Sequence, residues 1–306
     1  MLYFWILFNL FALAMLVLDL LVFHRRGRIV RSREALAWSA MWIALAAAFA
    51  GLIFFWQGRQ VALEFVTGYV LELSLSVDNL FIFLVIFRYF AVPEQHQRSV
   101  LFWGILGALL MRGVFILAGV GLIERFHWIL YVFGALLIYS GIRLGFSGEH
   151  HVDPAKNPAV RALRRLLPVT DDFRGGRFFV RGWKGNPGLY ATPLLIVLAV
   201  IETTDLLFAV DSIPAVLAVT LNAFIVYTSN VFAILGLRSM YFAVAGLMKV
   251  FRFLHMGLAL VLVLVGLKMI TADRFPVPTL VTLGVVAGVL AVSVIASVTY
   301  PGRKKD

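Results

Sequence analysis

The chain has 306 residues, 62% of them hydrophobic and 14% charged, with a mean hydropathy of +0.95 and a net charge of +11. A soluble domain is roughly 45–50% apolar and about 25% charged, so this balance excludes a water-soluble enzyme, a disordered tail and a coiled coil. There is no cysteine, which removes disulfides, thiolate nucleophiles, zinc–thiolate sites and iron–sulfur clusters. The positive charge lies in loops between apolar segments, where membrane topology accounts for it without nucleic acid.

Residues 2–23 are apolar and lack a basic n-region or a small-residue cleavage site, so they read as a transmembrane helix and not a signal peptide. Eight further apolar segments follow, at about 36–56, 61–90, 99–121, 126–146, 192–220, 228–249, 254–271 and 277–299. The expected fold is therefore all-α: one polytopic transmembrane domain over 1–306 with about nine helices. The segments at 61–90 and 192–220 exceed the roughly 20 residues a span needs, so each must tilt or be interrupted. Gly284 and Gly288 give the last span a G-x-x-x-G, a candidate close-packing face. Trp5, Trp42, Trp56, Trp103 and Trp128 fall near span ends and read as interfacial anchors.

Loop charge sets the orientation. Arg25, Arg26, Arg28, Arg31, Arg33, Arg88, Arg98, the basic stretch 147–191, Lys249, Arg252 and the Arg303–Lys305 tail all fall on one side of a nine-span chain. The other side holds little beyond Arg59, Arg125 and Arg274. Positive charge stays inside, which places the N-terminus outside and the C-terminus in the cytoplasm.

Two segments repeat. Glu72-Leu-Ser-Leu-Ser-Val-Asp78-Asn79 and Asp205-Leu-Leu-Phe-Ala-Val-Asp211-Ser212 share an acid, a second acid six residues later and a small polar residue after it. Downstream, Arg112 corresponds to Arg238, and Gly141-Ile-Arg143 to Gly266-Leu-Lys268. The unit is three spans, 61–146 and 192–271, joined by a basic cytoplasmic linker loop over 147–191. An odd number of spans inverts the second copy, the arrangement of many secondary transporters, whose site lies at the midplane between interrupted helices.

Glu72, Asp78, Glu202, Asp205 and Asp211 all lie within apolar spans. Left unpaired, five such acids cost on the order of 12–18 kcal/mol, so they line a cavity, pair with cations, or both. Glu72, Ser76 and Asn79 share one helical face, and Glu202, Asp205 and Ser212 share another, with Asp78 and Asp211 off those faces. Unwinding near 77–79 and 210–214, the latter at Pro214, would let all the oxygens converge. The expected metal site is Glu72, Asp78, Asn79, Glu202, Asp205, Asp211 and Ser212. Its oxygen donors suit Mg²⁺, Ca²⁺ and Mn²⁺ over copper or zinc. Arg112 and Arg238 are expected to pair structurally with acids. Glu149, His150, His151 and Asp153 form a metal-like cluster in the linker, read as a solvated loop.

The two acidic segments, extended to Glu202–Ala215, and the stretch Ser229–Ser239 resemble the signature segments of the TerC family, and the likeness runs from about Asp19 to Lys268. The two leading spans and the Trp38–Trp42 stretch resemble its Alx-type subtype. That resemblance implies a relative of the LysE-type transporters, built from inverted three-helix repeats in the bacterial inner membrane. It implies Mn²⁺ as the exported ion, the seven residues above as its site, no enzymatic activity and no organic cofactor. Carboxylates that bind either Mn²⁺ or protons suggest proton exchange as the coupling. Two other readings stay open: a membrane partner protein docking through 147–191 to assist metallation or secretion, and a tellurium-resistance role without transport.

Overall fold

The computed structural model describes residues 2–24, 32–147, 157–183, 186–244 and 253–299. The side chains of Asp78 and Arg238, and the cluster at 149–153, lie outside the described residues. Ten helices are described: α1 (Leu2–His24), α2 (Ser32–Gln57), α3 (Arg59–Tyr89), α4 (Glu94–Arg125), α5 (Ile129–Ser147), α6 (Pro158–Leu166), α7 (Pro193–Leu217), α8 (Ala223–Val244), α9 (Leu254–Thr271) and α10 (Thr279–Thr299). Between α6 and α7, β1 (Phe179–Trp183) pairs antiparallel with β2 (Asn186–Ala191). Seven helices, α2 to α5, α7, α9 and α10, are long and apolar enough to cross a membrane. In α1 and α8 the apolar described stretches, Tyr3–Leu18 and Ala223–Leu237, are shorter. The chain is an all-α, multi-pass membrane protein.

Neither long acidic helix unwinds. α3 runs unbroken through 31 residues and α7 through 25, and the expected breaks at 77–79 and 210–214 are absent from them. At 1.5 Å per residue α3 is about 46 Å long, well beyond a hydrocarbon core of about 30 Å, so its length is taken up by tilt or by projection past the core. Pro214 removes its hydrogen bond only in the last turn of α7, where little helix remains to be disrupted.

The centre is built from α3, α4, α7 and α8. α3 packs on α7 and α8, and α4 packs on the same two helices. Beside them α5 and α9 form the most extensive helix pair. Their backbones approach closely because glycine stands at the crossing points. A Cβ at Gly134 would lie 2.9 Å from the Gly266 carbonyl oxygen, one at Gly141 2.6 Å from that of Ala259, and one at Gly266 2.7 Å from that of Gly134. Near the start of α5, the Tyr131 hydroxyl donates to Asp273, just past α9, at 2.6 Å. The G-x-x-x-G of α10 does not act this way. Nothing lies within 4 Å of a Cβ at Gly284 or Gly288, among the described residues, because those glycines face away from the neighbouring helices.

Outer helices brace this centre. α2 packs on α3 and α8, α1 on α8, and α10 on α3 and α9. Phe8, Phe49, Phe65 and Phe232 stack where α1, α2, α3 and α8 meet, with Phe49 and Phe232 centroids 5.0 Å apart. Trp42 belongs to this core and is not an interfacial anchor: it is buried, with its ring against Gly236. Trp56, Trp103 and Trp128 are exposed, as interfacial residues are.

The described residues 157–183 and 186–191 pack against the bundle. Asn157 caps α6 by accepting from the Ala159 amide at 2.9 Å. Val160 and Leu163 of that helix, with Val169, Phe173 and Phe178, pack on the apolar cluster of α3, α4 and α7.

The glycine crossings make a specific demand. Gly141→Val or Gly266→Val should destabilise the purified protein by roughly 1–3 kcal/mol or more through overpacking, read as a fall in Tm in detergent. Gly288→Val should leave Tm within about a degree.

Candidate functional site

The acids of α3 and α7 are gathered by an arginine from a third helix. Arg112 stands near the middle of α4 and is buried. Its Nη1 donates to Glu72 Oε2 at 2.6 Å. Its Nη2 and Nε donate to the two oxygens of Asp205 at 3.1 and 3.3 Å, a bidentate fork. Ser212 Oγ and Asn230 Oδ1 stand at 3.5 and 3.4 Å from Nη1. Asn230, from α8, donates through Nδ2 to the other Glu72 oxygen at 2.6 Å. Glu72, Arg112, Asp205, Ser212 and Asn230 are each at most 4% exposed. The cluster draws one residue or more from each of α3, α4, α7 and α8, so it ties the four central helices together. One guanidinium faces two carboxyls, leaving a formal charge of −1 when both are ionised.

Asp211 is elsewhere. Six residues after Asp205 it lies off the Arg112-facing side of α7, and it turns to α5, where Ser140 Oγ donates to its Oδ1 at 2.6 Å. Asp211 and Ser140 line a cavity of about 80 Å³ with Asn79 and Leu75 of α3, Arg143 of α5 and Phe208 of α7. That is several times the space one water needs. The wall carries carboxylate, amide and hydroxyl oxygens from three helices. Asn79 lies on the same buried face of α3 as Glu72, two turns further along.

Glu202 is in a third place. It is half-buried on α7, against α4, and its Oε2 is buried without a hydrogen-bond partner among the described residues. Gly107 makes the room, since a Cβ there would collide with the Glu202 carboxylate. The seven residues expected at one site therefore divide: Glu72, Asp205 and Ser212 surround Arg112, Asn79 and Asp211 line the cavity, and Glu202 stands against Gly107. The Asp78 side chain lies outside the described residues. Helical phase separates Asp211 from Asp205 and already forbids a single focus on an unbroken helix. Asn230 and Ser140 were not singled out by sequence. Asn230 lies within a recognisable stretch, Ser229–Ser239, and a buried amide in a span was the available signal. Ser140 gave none, because serine is common in spans and its repeat counterpart, one residue before Gly266, is Val265.

The description "Integral membrane protein TerC family" matches residues 57–305. A Myxococcus xanthus protein, "Uncharacterized membrane protein STKORF319", is 48% identical over 293 residues, covering 96% of this chain and 91% of its own length. An Escherichia coli K12 protein, "Putative membrane-bound redox modulator Alx", is 46% identical over 291 residues, covering 92% and 89%. A Rickettsia bellii membrane protein is 36% identical over 294 residues, covering 96% of each chain. No solved structure matches.

Removing the arginine should be costly. Arg112→Ala leaves two carboxyls buried without their cation, a loss of about 3–5 kcal/mol. Asp211→Asn at the cavity edge should cost nearer about 1 kcal/mol. Thermal unfolding of the purified variants in detergent should place them in that order.

Proposed function

This chain belongs to the TerC family of integral membrane proteins, and on that footing we propose that it is a secondary transporter exporting Mn²⁺ from the cytoplasm. The observation that carries the reading is the pairing of a buried acid surplus around Arg112 with an oxygen-lined cavity at Asp211 and Asn79. Buried acids in a membrane core are costly unless a cation visits them. Hard oxygen donors are the ligands that divalent manganese takes. Asp211 and Asn79 are direct ligands in this reading, together with Asp78, the repeat counterpart of Asp211. Glu72 and Asp205, held by Arg112, set the local potential, and Glu202 is a further acid on the route.

The inverted repeat is supported by the packing. Exchanging α3 with α7 and α4 with α8 turns the packing among the four central helices into itself, and exchanging α5 with α9 keeps their pair and turns the α5–α7 contact into the α3–α9 contact. The close approaches exchange as well, since the offset that takes Gly141 to Gly266 takes Gly134 to Ala259. Alternating access follows from such symmetry when the two halves swap conformations.

In this reading the membrane is the bacterial inner membrane, with the N-terminus outside and the C-terminus and the 147–191 segment in the cytoplasm, an orientation that the loop charge favours. Moving a divalent cation out against an inside-negative potential costs about 4.6 kcal/mol per 100 mV. Export therefore needs coupling, and carboxyls that accept either Mn²⁺ or protons supply it by exchange. The protein is a carrier and not an enzyme, and it needs no organic cofactor. The redox-modulator name of the Escherichia coli relative favours a second reading. With no cysteine in this chain, thiol chemistry is closed to it, so a redox effect would arise indirectly, from altered metal content.

In a bacterial host lacking its own manganese exporters and loaded with Mn²⁺, the wild-type protein should lower total cellular manganese measured by elemental analysis. Asp78→Asn and Asp211→Asn, shown to reach the membrane, should leave it at the loaded level. Equal lowering by all three would put the site elsewhere, and lowering by none would favour the partner reading. In proteoliposomes an imposed pH gradient should accelerate Mn²⁺ flux, and flux indifferent to that gradient would rule out antiport.

A further inference from the structure

The cavity's third wall is α5, a helix that carries neither acidic motif; it contributes Arg143 and Ser140, and Ser140 donates to Asp211. Serine and threonine inside a helix commonly return their hydroxyl to the carbonyl one turn back. Ser39, Thr67, Ser74, Thr203, Thr204 and Ser293 all do so here. Ser140 instead spends its hydroxyl across the interface, on Asp211 Oδ1 at 2.6 Å, a short charge-assisted bond. The next residue is Gly141, which locks α5 against the backbone of α9 at Ala259. The donor therefore stands on a helix that cannot easily shift. A hydroxyl so fixed holds one carboxylate oxygen on the α5 side of the cavity that Asn79 also lines. Val265 occupies the corresponding place in the second repeat, so the hydroxyl at this repeat position belongs to α5 and not to α9.

We propose that Ser140 is a positioning residue of the cation site: its hydrogen bond orients the Asp211 carboxylate for a divalent cation in the α3–α5–α7 cavity. The inference rests on the transport reading above. Hydrogen-bond partners of ligating carboxylates typically contribute ten- to a hundredfold to metal affinity.

The test uses full-length protein, with Mn²⁺ alone as the probe. Binding is measured by calorimetry in detergent and transport in proteoliposomes, for wild type, Ser140→Ala, Ser140→Thr and Asp211→Asn. Ser140→Ala should weaken the Mn²⁺ Kd about ten- to a hundredfold and raise the transport KM in parallel, with maximal rate within about twofold and Tm nearly unchanged. Ser140→Thr, which keeps the hydroxyl, should stay within about threefold of wild type. If Ser140→Ala binds Mn²⁺ as wild type does while Asp211→Asn does not, the positioning role is overturned and the transport site stands. If Ser140→Ala lowers Tm and maximal rate with Kd and KM unchanged, the hydroxyl is merely structural and the proposal falls. If Asp211→Asn binds and transports as wild type does, the cavity is not the cation site, and the reading beneath the proposal falls with it.

Discussion

The structure depends on a single guanidinium. A charged group in the middle of a helical membrane protein has neither water nor lipid to solvate it, so it must find partners in neighbouring helices. Arg112 of α4 finds Glu72 of α3 and Asp205 of α7, and Asn230 of α8 closes the ring through Glu72. The energetic demand of each member is met only when all four helices are in register. A slip of α4 by one residue would rotate Arg112 by about 100° and leave two carboxyls buried without a counter-ion. Apolar contacts between membrane helices discriminate poorly among registers, since lipid tails are as apolar as leucine. The polar cluster supplies that discrimination, and glycine packing between α5 and α9 fixes the adjoining pair by shape instead of charge.

Keeping α3 and α7 helical decides how the acids are used. Unwound segments could have aimed every carboxylate at one ion. On intact helices, residues six apart point about 120° away from each other. Asp205 and Asp211 therefore serve different neighbours, one the arginine and the other the cavity against α5. The division separates two tasks that conflict in a single cluster. Groups that hold the bundle together must stay paired, whereas on the proposed reading the groups that bind a passing ion must give it up.

Sequence alone reveals the acids readily, because few polar residues interrupt the apolar runs and each carries a known cost. It also reveals the likeness of Glu72–Asn79 to Asp205–Ser212 and the pairing role of Arg112. It does not reveal that one arginine takes two acids, since the count of partners depends on which helices cross at that level. Ser140 is illegible for the same reason: nothing local distinguishes it from Ser74, which bonds its own helix. The G-x-x-x-G of α10 misleads in the opposite way. Spacing puts Gly284 and Gly288 on one face, but only tertiary packing decides whether that face meets another helix, and the close crossing falls instead at Gly134, Gly141 and Gly266. Trp42 likewise sits near a span end in sequence, yet the packing of α2 on α8 carries its ring into the core.

Affinity in a carrier is bounded from above by release. A site that focused five carboxylates on one divalent cation would bind it tightly and let it go slowly, and conduction or exchange requires binding weak enough to leave. Arg112 offsets one of the charges around it and fixes Glu72 and Asp205 by hydrogen bonds, so these acids are not free to close on an ion. On the proposed transport reading the ion meets Asp211 and Asn79 in a cavity that Arg143 also lines, and a nearby cation lowers affinity further by repulsion. The proposed role of Ser140 acts in the other direction, its hydrogen bond holding one oxygen of the Asp211 carboxylate. The balance of these two influences, one electrostatic and one orientational, is what the spatial division of the acids makes adjustable.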